Sequence, residues 1–341
     1  MKALVKTDRG PGNLQLQELD KPRPSSGEVL IRVKAAGVCG TDIKIHRGEA
    51  WSNPPVVMGH EYAGVIEEVG SAVTAWQPGD RVVSETAQVV CGHCEYCKTG
   101  RPLMCSQRLS IGYGVNGAFA EYIVVRQEIL HSIPENVSFD AAALCEPFAV
   151  ALHGVWDSGP ISPTDTVLVM GPGAIGQLAA QSAAAKGATV VLAGTEADSH
   201  RLDVARAMGI PHVVNTGLPQ VMEALCGGRG ADVVIECTGS AAAIRQSMPM
   251  VKRCGRFVQI GLTKPEVEIE YGLLTSKEIS IVGSFGHRWH NWKQALDLMA
   301  KGSFEIEKLV TAHYSLSDWE LAFNDMENQR GIKILIHPEG G

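Results

Sequence analysis

The sequence predicts an α/β protein in which a doubly wound parallel sheet is inserted into a β-rich domain. Short apolar and β-branched runs, separated by Gly, Pro and Asp, fill the first 130 residues. Strand-like and helix-like runs then alternate from about residue 150 to residue 285, which is typical of a parallel sheet with crossover helices. The closing run GIKILIHP indicates that the end of the chain returns to the β-rich part.

Size and charge restrict the function. A chain of 341 residues exceeds one ordinary hydrophobic core, so two domains are expected. The net charge of −7 argues against a nucleic-acid partner, which would require a basic surface. No apolar run approaches the length of about 18 residues that spans a membrane, and MKALVKTDRGPG lacks the pattern of a secretory signal. A cytoplasmic protein is therefore expected.

In the β-rich part, strands are predicted at EVLIRVKAAGV, EYAGVIEEVG, GDRVVSE and GAFAEYIVV. The pattern changes near Ser138, where SFDAAALCEPFAVALHGVW predicts one Ala-rich helix that begins at Ser138 or Asp140. We place the first part of this domain at residues 1–149 and its return at residues 286–341, where NWKQALDLMAKG predicts an amphipathic helix.

The inserted domain is assigned to residues 150–285. Its predicted strands are DTVLVMG, ATVVLAG, ADVVIECTG and GRFVQIG. Its predicted helices are AIGQLAAQSAAAKG, SHRLDVARAMG and AAAIRQSMPMVKR. Strands and helices that alternate in this way are expected to form the parallel sheet.

A glycine-rich loop follows the first strand of that sheet and opens a helix. In GPGAIG, Gly171 permits a tight turn, Gly173 lets the backbone approach a pyrophosphate, and Gly176 lets the helix pack close to the strand. The N-terminus of the helix supplies N–H groups to the phosphates. The predicted dinucleotide contacts are Gly171, Gly173, Ala174, Ile175 and Gly176.

The stretch VVLAGTEADSHR follows the next strand and bears on the choice of dinucleotide. Glu196 lies at about the distance from the glycines that suits an acid binding the ribose hydroxyls of NAD. Gly194 and Thr195 are small and leave room for a 2′-phosphate, and Arg201 or His200 would then pair with it. Because Glu196 and Asp198 would repel a phosphate, NAD is favoured and NADP stays open.

Four of the nine cysteines lie close together in CGHCEYCKTGRPLMC. Cys91, Cys94, Cys97 and Cys105 indicate either a tetrahedral zinc site without an open position or disulfides. Zinc is favoured because the other five cysteines are scattered and no secretory signal is evident. We assign this lobe to residues 88–108.

A second set of metal-binding residue types is dispersed. Cys39 in GVCGTD and His60 in GHEYAG are of types that bind zinc, and Glu61 and Glu146 add carboxylates. Each has an ordinary alternative as a buried cysteine, a loop histidine or a helix-flanking acid. The spacing alone does not show that they converge.

Together the motifs GVCGTD, GHEYAGVIEEVG, GDRV, the four-cysteine lobe, EPFAVALHG, GPGAIG and ECTG resemble the zinc-containing medium-chain alcohol and polyol dehydrogenases over essentially the whole chain. The resemblance implies a GroES-like catalytic domain and a Rossmann domain. It implies a catalytic zinc at Cys39, His60 and Glu61, with Glu146 as the additional carboxylate of the polyol and threonine branches. Thr41 matches the hydroxyl that relays the substrate proton. The lobe cysteines match a structural zinc.

The implied activity is oxidation of a secondary alcohol, a polyol or sugar, with hydride transfer to NAD(P). EPFAV resembles the polyol and sugar-alcohol branch, which includes the sorbitol dehydrogenases, more than the threonine 3-dehydrogenase branch. A non-catalytic nucleotide-binding protein is the alternative of another class. Lys44 occupies the position where many relatives carry a histidine of the proton relay, so the sequence does not identify the residue that releases the proton to solvent. It also does not decide whether Glu61, Glu146 or water completes the zinc coordination sphere. The family implies a homodimer or homotetramer.

Overall fold

The chain folds into two structural units, and the second unit is inserted between two segments of the first. The computed structural model describes residues 1–263 and 266–338. One unit consists of Met1–Glu146 and Arg288–Gly341, and the other of Pro147–His287. None of the helices in the described ranges is both long and apolar enough to cross a bilayer.

The first unit begins with a series of short strands and three short helices. In chain order these are β1 (Lys2–Lys6), β2 (Leu14–Glu18), β3 (Glu28–Val38), α1 (Gly40–His46), β4 (Val56–Val57), β5 (Glu61–Val69), β6 (Arg81–Ser84), β7 (Ala87–Val89), α2 (Glu95–Lys98), β8 (Leu109–Ser110), β9 (Tyr122–Arg126), β10 (Leu130–Ser132) and α3 (Phe139–Ala143). Helix α4 (Cys145–Trp156) leads into the second unit.

The second unit alternates strands and helices, as predicted. Its elements are β11 (Thr166–Met170), α5 (Ala174–Ala184), β12 (Thr189–Ala193), α6 (Ser199–Ala207), β13 (His212–Val214), α7 (Leu218–Cys226), β14 (Ala231–Glu236), α8 (Ala241–Ser247), β15 (Val251–Gln259), α9 (Leu273–Ser276) and β16 (Ser280–Gly283). The chain then returns through α10 (Trp289–Ala300), β17 (Val310–Ser315), α11 (Trp319–Glu327) and β18 (Lys333–His337).

The main sheet of the first unit has the strand order β10-β6-β5-β3-β18-β17, with β9 paired to β3. The last strand, β18, lies antiparallel to β3, with Ile334 opposite Val38. Alternate residues of these strands fill one core, in which Val33, Ile66 and Ile334 are buried. The C-terminal segment therefore completes the sheet that the N-terminal segment begins.

The sheet of the second unit has the strand order β13-β12-β11-β14-β15-β16, and each neighbouring pair is parallel. This order has a reversal at β11, where the first connection goes to one side and a later one to the other. Ligands of such sheets bind beyond the carboxyl ends of the strands at the reversal. Met170 is level with Ala193 and Glu236 at that edge, so the three following loops share it.

Two predicted helices differ from the structure. The run that starts after the N-cap Ser138 is divided at Leu144 into α3 and α4, because Pro147 has no N–H to donate to Ala143 four residues earlier. The run AAAIRQSMPMVKR contains helix only to Ser247, and Val251 begins β15. Pro249 ends the regular helix, and the strand follows directly.

Candidate active site and metal centres

Cys39 lies at the junction of β3 and α1. It is the N-cap of α1, and its Sγ accepts a hydrogen bond of 3.5 Å from the N–H of Thr41. The Cys39 N–H donates to Asp42 Oδ2 at 2.9 Å, which completes a capping box. The cap therefore fixes the thiol and sets Thr41 directly beside it.

Strand pairing closes the sequence gap between Cys39 and the pair formed by His60 and Glu61. In the antiparallel ladder of β3 and β5, Glu61 lies opposite Gly37. The ligand atoms of Cys39, His60 and Glu61 all lie within 4.8 Å of one another. The ladder thus brings together three residues whose convergence the sequence left open.

Asp42 lies behind the histidine. Its Oδ1 is 3.5 Å from His60 Nδ1, and both atoms are buried without a hydrogen-bond partner among the described residues. Burial opposes protonation of the His60 ring, but the nearby Asp42 carboxylate and Cys39 outweigh it and raise the His60 pKa well above its ordinary value. The site therefore favours a positive charge on this imidazole, which a metal on its Nε2 would also supply.

Lys333, on β18, is a buried partner of Glu61. Its Nζ lies 2.5 Å from Glu61 Oε2, and both side chains are at most 2% exposed. Burial opposes the charge of Lys333, but Glu61 and Cys39 outweigh it and raise the lysine pKa. A Cβ at Gly37 would lie 2.5 Å from the same Glu61 oxygen, so glycine leaves the space that the carboxylate occupies. Our sequence reasoning missed both Lys333 and Asp42.

Glu146, at the start of α4, does not join the group within 4.8 Å among the described residues. Burial and the charge of Glu61 raise its pKa to about 7. The Glu146 carboxyl is therefore close enough to Glu61 for the charge of Glu61 to affect the protonation of Glu146. The acidic groups around this site are Glu61, Glu146, Asp42 and Cys39. They outnumber the basic groups, which are Lys333 and His60, so the donor set suits a divalent cation.

The four lobe cysteines converge as their spacing predicts. Their sulfur atoms lie within 4.8 Å of one another, with Cys91 Sγ 3.9 Å from Cys97 Sγ. A tetrahedral zinc–thiolate site with bonds of about 2.3 Å places its sulfurs about 3.8 Å apart. All nine cysteines lie in the described ranges, and each is a free thiol. The geometry fits a zinc ion and does not fit disulfides, whose sulfurs are bonded at about 2.0 Å.

Backbone N–H groups also favour thiolates in this lobe. Cys91 Sγ accepts from the Cys94 N–H at 3.3 Å, and Cys94 Sγ accepts from the Cys97 N–H at 3.5 Å. Hydrogen bonds from the backbone of His93 and Cys94 lower the pKa of Cys91 to about 6. Such N–H donors turned toward sulfur are suited to a site that holds the deprotonated ligand.

Replacement of Cys94 by alanine is expected to remove one zinc ion per chain and to lower the unfolding temperature by on the order of 10 °C, because a structural zinc contributes several kcal/mol to folding. Elemental analysis and calorimetry measure both effects. The exposed Cys254, changed to alanine, is the matched control and should alter neither. An unchanged melting temperature with full zinc content in Cys94→Ala would contradict the site.

The glycine loop of the second unit has the backbone that a phosphate cradle requires. Gly171 has a φ of +98°, and a Cβ there would lie 2.5 Å from Thr238 Cγ2. A Cβ on Gly176 would lie 1.7 Å from the Gly171 oxygen, so helix and loop pack too closely for a side chain. Gly173 is the N-cap of α5, and apart from Gly173 and its chain neighbours no atom of the described residues lies within 4 Å of its Cβ position. That open space suits a ligand's approach.

The chain matches two protein-family models. The alcohol dehydrogenase GroES-like domain covers residues 25–135, and the zinc-binding dehydrogenase model covers residues 174–301. A sorbitol dehydrogenase of Halalkalibacterium halodurans is 39% identical over 99% of both chains. This chain belongs to the zinc-containing medium-chain dehydrogenases.

Further medium-chain dehydrogenases resemble the chain over its full length. The D-arabitol-phosphate dehydrogenase of Enterococcus avium is 35% identical over 98% of this chain and 97% of its own. The structure of a protein assigned as a zinc-binding dehydrogenase from Sinorhizobium meliloti, bound to NADP, superposes with a TM-score of 0.91 at 34% identity and covers 99% of each chain.

In this medium-chain dehydrogenase the loop after β12 is tied together by a buried aspartate. Asp198 Oδ2 accepts from the Thr195 N–H at 2.9 Å and from its hydroxyl at 2.7 Å. Arg201 lies 3.6 Å from the other Asp198 oxygen. Glu196, in contrast, is exposed. The structure thus uses Asp198 and Arg201 within the loop and leaves Glu196 at the surface.

Glu236 organises the neighbouring loop and was not singled out by sequence reasoning. Its buried carboxylate at the end of β14 accepts from the N–H groups of Thr238 at 2.8 Å and Gly239 at 2.9 Å, and from Gln259 Nε2 at 2.7 Å. A buried carboxylate with several donors holds its loop rigidly. The ECTG motif is therefore built around its glutamate.

His46, four residues from Asp42 on α1, packs against aromatic rings. The ring lies 5.8 Å from Phe323 and 6.2 Å from Trp319, edge to face. Burial lowers the His46 pKa. The last turn of α1 therefore packs against α11 through this histidine.

Proposed function

We propose that this enzyme oxidises the secondary hydroxyl of a polyol or sugar to a ketone and transfers the hydride to NAD(P). The observation that carries the proposal is the convergence of Cys39, His60 and Glu61 within 4.8 Å, beside Asp42, in a chain of the zinc-containing dehydrogenase family. We assign catalysis to residues 1–149 and 286–341 and dinucleotide binding to residues 150–285. The names of the relatives, sorbitol and arabitol-phosphate dehydrogenase, support a polyol.

Cys39 Sγ and His60 Nε2 would hold the catalytic zinc, with Glu61, Glu146 or water completing its sphere. A zinc ion bound there would act as a Lewis acid and would lower the pKa of the substrate hydroxyl, as zinc lowers the pKa of a bound water to about 7. Asp42 orients the His60 ring from behind. Lys333 holds the Glu61 carboxylate in place through their buried ion pair.

Thr41 receives the proton of the substrate hydroxyl. Its backbone N–H donates to Cys39 Sγ, so its position beside the thiolate is fixed by the cap of α1. The dinucleotide, which Gly171, Gly173 and Gly176 would hold, would supply the hydride acceptor. The alcohol would then lose its O–H proton to Thr41 and the hydrogen and electron pair of its C–H bond to the acceptor, and the C=O bond would form. One alcohol and one NAD(P)⁺ thus give one ketone, one NAD(P)H and one proton.

A substrate panel tests the proposal. Purified protein with its zinc content measured should reduce NAD or NADP with polyols such as sorbitol or xylitol, and should lose this activity when the metal is chelated. Turnover with threonine alone would move the enzyme to the amino-alcohol branch. Failure of every alcohol with both dinucleotides, although two zinc ions are bound, would refute the proposal.

Replacement of Glu196 by alanine is expected to raise the KM for NAD by about tenfold and to affect NADP less, because a hydrogen bond from ribose to a carboxylate contributes about 1.5 kcal/mol or more. Glu223, an exposed acid on α7, gives the matched control when changed to alanine. Equal changes in both Michaelis constants would remove Glu196 from ribose recognition.

We propose that the chain assembles as a homodimer or homotetramer through the edge of the second-unit sheet. Strand β16 is an edge strand of that sheet, and Ile281 on it is 45% exposed. The family resemblance implies pairing of subunits through such sheet edges. We also place the protein in the cytoplasm, because its free thiols need a reducing compartment.

Replacement of Ile281 by lysine is expected to shift the protein toward monomer, because a charged edge opposes pairing between strands. Sedimentation velocity should show the dimer's dissociation constant raised at least about tenfold, the equivalent of one lost apolar contact. Leu321, which is 56% exposed on α11, gives the matched control, and Leu321→Lys should leave the dissociation constant unchanged. A variant as oligomeric as the parent would contradict this interface.

A further inference from the structure

Three residues outside the proposed catalytic site converge at the edge of the first-unit sheet. Asp140 is in the first turn of α3, His313 is on β17, and His337 is the last residue of β18. The two strands are parallel, with Ser315 level with His337. Because side chains alternate along a strand, His313 and His337 lie on the same face of the sheet. That face also meets the start of α3.

The potential ligand atoms form a compact triangle. His313 Nδ1 lies 3.0 Å from His337 Nε2 and 3.6 Å from Asp140 Oδ2, and His337 Nε2 lies 3.7 Å from Asp140 Oδ1. In a tetrahedral zinc site with bonds of about 2.0 Å, neighbouring ligand atoms are about 3.3 Å apart. The three separations bracket that value, so one ion fits without a rearrangement of the backbone.

A backbone contact prepares one of the histidines as a ligand. His337 Nδ1 lies 3.0 Å from the Lys34 carbonyl oxygen. A carbonyl only accepts, so His337 carries its proton on Nδ1 and turns the lone pair of Nε2 toward the other two residues. Metal-binding histidines are oriented in this way by a carbonyl or carboxylate on the second nitrogen.

We propose that Asp140, His313 and His337 form a surface site for a divalent transition-metal ion, zinc in the first instance. Two imidazoles and one carboxylate are borderline ligands, which select zinc and its neighbours over magnesium or calcium. The His313 side chain is 52% exposed, so solvent reaches the fourth position of the ion. The site is separate from the cysteine lobe and from Cys39, and it does not depend on the proposed function.

Without metal the same residues form a hydrogen-bonded cluster. His313 then donates from Nδ1 to His337 Nε2, and the stacked rings are 5.3 Å apart. Metal binding requires only that His313 move its proton to Nε2. The ion then links α3 to the edge strand β17 and to its neighbour β18, and it stabilises the folded state by mass action.

Titration of the zinc-loaded enzyme with additional ZnCl₂ tests the proposal by calorimetry. The wild-type enzyme is expected to bind one further ion per chain, and the added zinc should raise its unfolding temperature by a few degrees. The double variant His313→Gln, His337→Gln should bind no further ion and gain no stability. Asp140→Asn, which keeps the shape of the side chain, should weaken binding by at least about tenfold.

His212, a partly buried histidine on β13 of the other unit, is the matched control, and His212→Gln should bind the further ion as the wild type does. Turnover at basal zinc should be equal in all these proteins. A wild type that takes up no further ion, or a double variant that takes it up with unchanged affinity, would show that the cluster is a hydrogen-bonded surface group only.

Discussion

Replacement of Cys39 by serine is expected to lower alcohol-dependent reduction of the dinucleotide by at least about 10³-fold, because the hydroxyl would lose the acidification that a bound zinc supplies. Serine is a far weaker zinc ligand than a thiolate, and the neighbouring groups cannot replace it. The zinc content should fall to one ion per chain, held by the cysteine lobe. Steady-state kinetics with elemental analysis of the same sample measures both quantities.

The unfolding temperature of Cys39→Ser should change little once the lobe zinc is retained, since serine still caps α1. Cys254→Ser is the matched control, because this cysteine is exposed and outside both metal groups. Turnover within tenfold of the wild type, with one zinc ion missing, would overturn the assignment of the catalytic metal to Cys39.

Replacement of Lys333 by methionine is expected to destabilise the zinc-free protein by about 3–5 kcal/mol, because it leaves the buried Glu61 carboxylate without its cation. Methionine has a similar length, so little packing is lost. Zinc should recover part of the loss, since the metal supplies positive charge to the same carboxylate. Chemical denaturation with and without zinc measures the two free energies of unfolding.

Two further variants sharpen this test. Adding Glu61→Gln to Lys333→Met should restore part of the stability of the zinc-free protein, because no charge then remains buried without a partner. Lys293→Met breaks an exposed pair with Asp297 and should cost at most about 1 kcal/mol. Equal losses in Lys333→Met and Lys293→Met would show that the buried pair contributes nothing particular to this site.

Local chemistry explains why parts of the site are predictable. The cysteine spacing sets the lobe because all four ligands lie within fifteen residues, and GPGAIG sets its own turn because each glycine acts on the backbone beside it. The two helix errors are also local: Pro147 and Pro249 each alter the hydrogen bonding of the residues around them. The sequence carries those signals, although we did not weigh them.

The sequence by itself determined the alternation of strands and helices in the second unit, the glycine loop and the four-thiol lobe, because these depend on residues close together in the chain. Only the tertiary structure decided that Lys333 neutralises Glu61, that Asp42 stands behind His60, and that Asp140 meets two distant histidines. These contacts depend on strand register, above all on β18 pairing with β3. A register joins residues hundreds of positions apart, and no local pattern of the chain records it.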